Sequence, residues 1–277
     1  VKIEQLASWV WDPATVISED TRRDLLAFAQ SKRIDLLFVD AAPIYDTVGG
    51  FAALAALHQA AAEQGAAIAM VAGDPSWVMP SHHAQAVAQI DRAARMQARL
   101  AGRGVPRSGR LLVDVEPYLL PAWRVARERT AADYDRLVST LQTAAHRAGL
   151  QIWHTIPYWF REVTVDGQPL DDRVLAASDG VVVMAYRSQP SAVRDVAEPV
   201  VERAARHGRG VIVAVETTRM NPPEVSFCGR PGIELTATLE RLAMGFAGRP
   251  GFAGLGVHSY PGWVRLDAGG HTSHLFL

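Results

Sequence analysis

The chain has a single cysteine, Cys228, so an internal disulfide framework is excluded and a Cys-ligated zinc site cannot be built. Cys228 reads as an ordinary thiol in a loop. No apolar run approaches the roughly 20 residues needed to span a bilayer. Net charge is −1 and no Lys/Arg-rich run appears, which leaves little to attract nucleic acid or an anionic membrane surface. The sequence also lacks a Gly-rich turn after its first strand-like run, a Gly-x-Ser-x-Gly turn, and a His-x-His pair near its start. These absences count against a dinucleotide-binding open sheet, a serine nucleophile and a common barrel metal centre. No cofactor or metal is called for. The start at Val1, close to the first strand-like run, fits an exported protein freed of its signal peptide and fits a trimmed chain equally. Export is the expectation carried forward; oligomeric state is not written in these features.

What the sequence does hold is eight short apolar runs rich in β-branched or aromatic residues. They are Leu6–Trp11, Ile34–Asp40, Ala66–Gly73, Arg110–Glu116, Gln151–Tyr158, Gly180–Tyr186, Gly210–Glu216 and Leu255–Tyr260. Near-continuous hydrophobicity suits parallel strands buried on both faces. Helical spacing recurs between them and is clearest over Asp133–Ala148, with Thr130-Ala-Ala-Asp133 reading as a capping box and Gly149 as the stop. Similar patterns cover Asp20–Lys32, Phe51–Gln64, His82–Leu100, Asp171–Ala177, Ala192–His207 and Ile233–Phe246. Strand and helix alternate without a linker. The expected architecture is one domain over residues 1–277, a closed (β/α)₈ barrel of the TIM type.

Catalytic residues of such barrels sit at the C-terminal ends of strands and in the loops that follow. The unusual residues of this chain fall there. Asp40 closes the second strand, and Asp74 and Trp77 follow the third. Asp114 and Glu116 close the fourth, with Tyr118 beyond. His154, Tyr158 and Trp159 belong to the fifth, Tyr186 to the sixth, Glu216 to the seventh, and His258, Tyr260 and Trp263 to the eighth. Asp114 and Glu116 are two apart on a strand, so both point to one side. Close carboxylates resist ionising together, and a Glu kept protonated can act as general acid. Either could instead sit in a buried ion pair with an arginine, as Glu216 could with Arg219. Aromatic faces suit the C–H face of a sugar ring. Trp11, Trp77, Trp159 and Trp263, at strand ends, are expected in the cleft, whereas Trp9 and Trp153 are expected in the core.

These residues resemble the retaining glycoside hydrolases built on (β/α)₈ barrels. Asp114-Val-Glu116 with Met184-Ala-Tyr186 is similar to the chitinase-like family eighteen. That resemblance implies Glu116 as acid, Asp114 orienting a substrate acetamido group and Tyr186 holding it, with no protein nucleophile. Arg187 stands where that family has an acidic residue, and Gly109 and Leu112 where it has aspartates. Glu116-Pro117 with Glu216 is similar instead to the clan with acid/base on strand four and nucleophile on strand seven, although Val115 replaces its usual Asn. Both resemblances imply a poly- or oligosaccharide substrate, and between them they make Glu116, Asp114, Glu216 and Tyr186 the catalytic candidates. Trp11, Asp40, Asp74, Trp77, Tyr118, His154, Tyr158, Trp159, His258, Tyr260 and Trp263 would bind it. The alternatives are a non-catalytic carbohydrate-binding barrel and a metal-assisted barrel hydrolase.

Overall fold

The computed structural model describes residues 4–269. Eight parallel strands close into a barrel: β1 (Leu6–Val10), β2 (Leu36–Asp40), β3 (Ala67–Ala72), β4 (Arg110–Val113), β5 (Gln151–Pro157), β6 (Gly180–Met184), β7 (Gly210–Glu216) and β8 (Phe252–His258). Each pairs with its sequence neighbours, and β1 closes on β8 through Leu6 opposite Leu255 and Ser8 opposite Val257. The outer ring includes α1 (Glu19–Lys32), α2 (Gly50–Glu63), α3 (His83–Ala101), α4 (Arg127–Arg147), α5 (Leu170–Ala176), α6 (Pro190–Arg206), α7 (Gly232–Phe246) and α8 (Tyr260–Asp267). The expected α/β barrel is the fold observed.

Alternation of side chains along each strand splits the apolar residues into two cores. On β2, Leu36 and Phe38 join the barrel interior, while Leu37 and Val39 join the layer between strands and helices. Two tryptophans fill the interior, Trp9 and Trp153, as their place inside strands leads one to expect. Their size is matched by glycines on the neighbouring strands. A Cβ at Gly180 would lie 2.6 Å from the Trp153 ring, and one at Gly256 would lie 2.9 Å from Trp9. At the start of β4, the Arg110 guanidinium covers Trp153, 4.3 Å from a ring centroid.

Two local expectations come out differently. α4 begins at Arg127, and Thr130 lies inside it with its hydroxyl bonded to the Ala126 carbonyl. The capping-box reading fails because the chain has already turned helical one turn earlier, directly after the short helix Pro121–Val125. Gly149 does follow the helix with φ +70°, the left-handed stop that glycine adopts without strain. Val165-Asp-Gly-Gln168 forms a two-residue hairpin turn, with Asp166 and Gly167 both at positive φ.

Candidate active site at the barrel mouth

The strand ends gather a set of carboxylates, phenols and indoles. Asp114 and Glu116 come directly after β4, on the same parity as inward-facing Leu112. They line a cleft of about 220 Å³ with Trp11, Asp40, Gly73 and Leu119. Glycine is required at 73, because a Cβ there would lie 1.9 Å from the Asp114 carbonyl oxygen. Tyr118 donates its phenol proton to Glu116 Oε1 at 2.6 Å, leaving the other carboxyl oxygen of Glu116 uncommitted. Burial pushes the Asp114 carboxyl up to about 6, reinforced by the Glu116 charge. Asp114 Oδ1 is buried without a hydrogen-bond partner among the described residues. Burial also raises the Asp40 carboxyl. Tyr186 stands beside His258, ring centroids 6.3 Å apart, and burial and the charges of Glu216, Asp114 and Glu116 hold its phenol protonated.

Glu216 has a different character. It ends β7 directly opposite His258 at the end of β8, and its side chain is only 3% exposed. Its Oε1 accepts from Thr217 N and Thr218 N, both at 2.7 Å, and from Thr218 Oγ1 at 2.9 Å. Its Oε2 accepts from His258 Nδ1 at 2.9 Å. On the far side, the Trp11 indole N–H donates to His258 Nε2 at 2.8 Å. An indole nitrogen only donates, so Nε2 must present its lone pair and Nδ1 must carry the proton. Trp11 thereby fixes the tautomer through which His258 holds Glu216. Burial opposes ionisation of Glu216, but the His258 and Thr218 donors outweigh it and keep the carboxyl below its ordinary range. A nucleophile must reach the anomeric carbon, and Glu216 is almost wholly buried with both oxygens hydrogen-bonded to the protein. The partner is His258, not the Arg219 that sequence proximity offered. His258 and Trp11 likewise spend these nitrogens on each other.

Several other expected binding residues also lie at the mouth. Tyr118 packs against Trp159 with centroids 5.3 Å apart, and Trp159 continues into Phe160 and Trp123. Tyr158 accepts a hydrogen bond from Arg187 at 2.6 Å. Five do not line the opening. His154 sits between inward-facing Trp153 and Thr155, so strand alternation turns it outward under the helices; it is 1% exposed with both ring nitrogens unpartnered. Trp77 and Trp263 are buried in the layer between strands and helices. Tyr260 opens α8 and packs against Phe28 of α1. Asp74 is exposed and caps the short 3₁₀ turn Pro75–Val78 through Ser76 N. Thr155 was not singled out from sequence. For Thr155 the signal was its parity with Trp153.

A larger hollow of about 540 Å³ around Lys32, Arg230 and Asp267 involves none of these strand-end residues. Among the described residues no three His, Cys, Asp or Glu side chains gather to hold a metal ion, and no helix is long and apolar enough to cross a membrane.

No protein-family model matches the chain, and no curated protein matches its sequence. Solved structures do. A GH18 chitinase from Pseudoalteromonas aurantia superposes with TM-score 0.62 at 11% identity, covering 96% of this chain and 100% of that one. A monomeric beta-xylosidase from Caulobacter crescentus CB15 gives TM-score 0.61 at 14% identity over 92% of this chain and 60% of that one. The GH39 enzyme from Xanthomonas axonopodis pv. citri gives 0.60 at 16% identity, over 92% and 58%. At such identities the likeness establishes the barrel, and activity must be argued from the site.

Proposed function

We propose that this chain is a retaining glycoside hydrolase-like enzyme acting on an oligo- or polysaccharide, with Glu116 as general acid/base. The observation that carries the reading is the Asp114–Glu116 pair at the floor of an open cleft. Asp114 presents a buried, unpartnered Oδ1, and Glu116 keeps one oxygen uncommitted while Tyr118 binds the other. In this reading the first accepts an N–H from substrate. The second exchanges a proton with a glycosidic oxygen.

The engagement of Glu216 favours the substrate-assisted route over a protein nucleophile. Glu116 protonates the leaving oxygen as the bond to the anomeric carbon breaks. The carbonyl oxygen of a substrate acetamido group closes on that carbon, with Asp114 holding its N–H and Tyr186 its oxygen. Water then attacks the anomeric carbon, gives its proton to Glu116, and reopens the ring with retention. Trp11 and the Tyr118–Trp159 wall offer faces for the sugar rings.

The test is hydrolysis of N-acetylchitooligosaccharides by the parent and by Glu116→Gln, with circular dichroism as a check on folding. Loss of about 10²–10⁴-fold in kcat is expected for removal of a general acid; unchanged turnover would sink the assignment. The same engagement of Glu216 leaves a second reading, a barrel that binds carbohydrate without cleaving it. Saturable binding without turnover in the parent protein would establish that one.

A further inference from the structure

Arg187 directly follows Tyr186 and is half-buried on the wall between β5 and β6. Its Nη1 donates to the Tyr186 carbonyl at 2.7 Å and its Nη2 to the Tyr158 hydroxyl at 2.6 Å, with the guanidinium 4.9 Å from the Tyr158 ring centroid. Every one of these partners is neutral. Arg173 and Arg203, also half-buried, are neutralised by Asp135 and by Asp171 and Asp172, whereas Arg22, Arg110 and Arg161 are half-buried without an ion pair to a described carboxylate. Arg187 makes no ion pair with any described carboxylate, including Glu224, whose backbone carbonyl bonds the adjacent Ser188. A second guanidinium, Arg127, lies over Trp123 and Trp159 at 5.4 and 5.8 Å, also without a carboxylate. Asp40, Asp114 and Glu116 lie around the cleft from β2 to β4, and Glu216 at the end of β7 is committed to His258 and Thr218. Arg187 is thus a cation of the strand ends that none of these carboxylates pairs with.

A planar guanidinium held in place by two neutral acceptors keeps further N–H donors and its whole charge for an incoming anion. We infer that Arg187 is an anion-binding residue of this mouth and that the sugar bound there carries a carboxylate, an inference that rests on the glycosidase-like reading above. The carboxylate can belong to a uronic acid ring or to a lactyl ether, and the recognition chemistry is the same.

The experiment compares the parent, Arg187→Gln and Arg187→Lys on two acidic sugars and their carboxyl-reduced counterparts. A hyaluronan tetrasaccharide supplies the uronate, and N-acetylglucosaminyl-N-acetylmuramic acid supplies the lactyl group. The parent is expected to favour at least one acidic sugar over its reduced form by about 10- to 100-fold in kcat/KM, chiefly through KM, the scale of one charge-assisted contact. Arg187→Gln should bring that ratio close to one, and Arg187→Lys should keep part of it. In the parent, KM for the acidic sugar should rise with salt, a measurement independent of how any variant folds. Equal use of acidic and reduced sugars, or a ratio that survives in Arg187→Gln, would overturn the inference while leaving the glycosidase reading intact. Calorimetry separates the remaining cases. Arg187-dependent binding of an acidic sugar without turnover supports anion recognition and removes the hydrolase; no binding of any of the four removes both.

Discussion

Replacing Glu216 by Gln changes one oxygen to an NH₂ group, and the surrounding donors make the cost calculable. The amide oxygen can replace Oε1 and still accept from Thr217 N, Thr218 N and Thr218 Oγ1. The NH₂ must then face His258 Nδ1, which carries a proton. If His258 shifts its proton to Nε2 to receive the amide, Nε2–H faces the Trp11 N–H instead. Either tautomer leaves one donor opposed to another at a buried position, about 1–3 kcal/mol. Loss of charge on the three remaining hydrogen bonds adds a comparable amount, so Glu216→Gln should cost about 2–6 kcal/mol in all. Trp11→Phe removes the donor that forbids the second tautomer. In that background Glu216→Gln should therefore cost about 1–3 kcal/mol less, a positive coupling measurable in a double-mutant cycle by urea denaturation. Nitrogen-15 NMR of the histidines would show His258 exchanging its Nδ1 proton for an Nε2 proton in the double variant. Effects that add within about 0.5 kcal/mol, or an unchanged tautomer, would refute the proposed lock.

His154 is buried as the neutral imidazole, its titration pushed down to about 3 by burial, with Asp179 opposing. Between that value and the ordinary 6.5 the unfolded chain binds a proton that the folded chain does not, so stability is present at neutral pH and drains away as pH falls below 6.5. His154→Leu removes that load, and its stability relative to the parent should improve by about 2–3 kcal/mol between pH 7 and 4.5. Parallel urea titrations of the two proteins at the two pH values would rule the account out if they gave the same difference. Gly73→Ala places a methyl carbon 1.9 Å from the Asp114 carbonyl oxygen, so the end of β4 must shift. A displacement near 1 Å at the carboxylate pair should lower kcat by about 10²-fold on any substrate the parent turns over. Kinetics matching the parent would show that the position of Asp114 and Glu116 does not govern turnover.

The barrel was legible because its strands are buried on both faces and so appear as unbroken apolar runs, with helical periodicity between them. Boundaries failed where glycine interrupts a run. β8 starts at Phe252 and not at Leu255, because Gly251 and Gly254 break the apolar pattern and the pairing shifts between Phe252 and Gly254. Within the site, the direction of Asp114 and Glu116 followed from parity, and the same parity places His154 outside: Trp153 fills the interior, so its neighbour cannot. Trp77 and Trp263 follow strands in sequence but return to the helix layer on short helical turns, a path that residue type alone does not encode. The binding of Glu216 is the deepest case. Two of its donors are the backbone N–H groups of the next two residues, a local turn. The third element, His258, comes within reach only because barrel closure pairs β7 with β8 in the register that sets it opposite Glu216. Such a carboxylate looks the same in sequence as a catalytic one. What separates them is the number of donors that the fold brings to its oxygens, and that number becomes countable only once strand register is known.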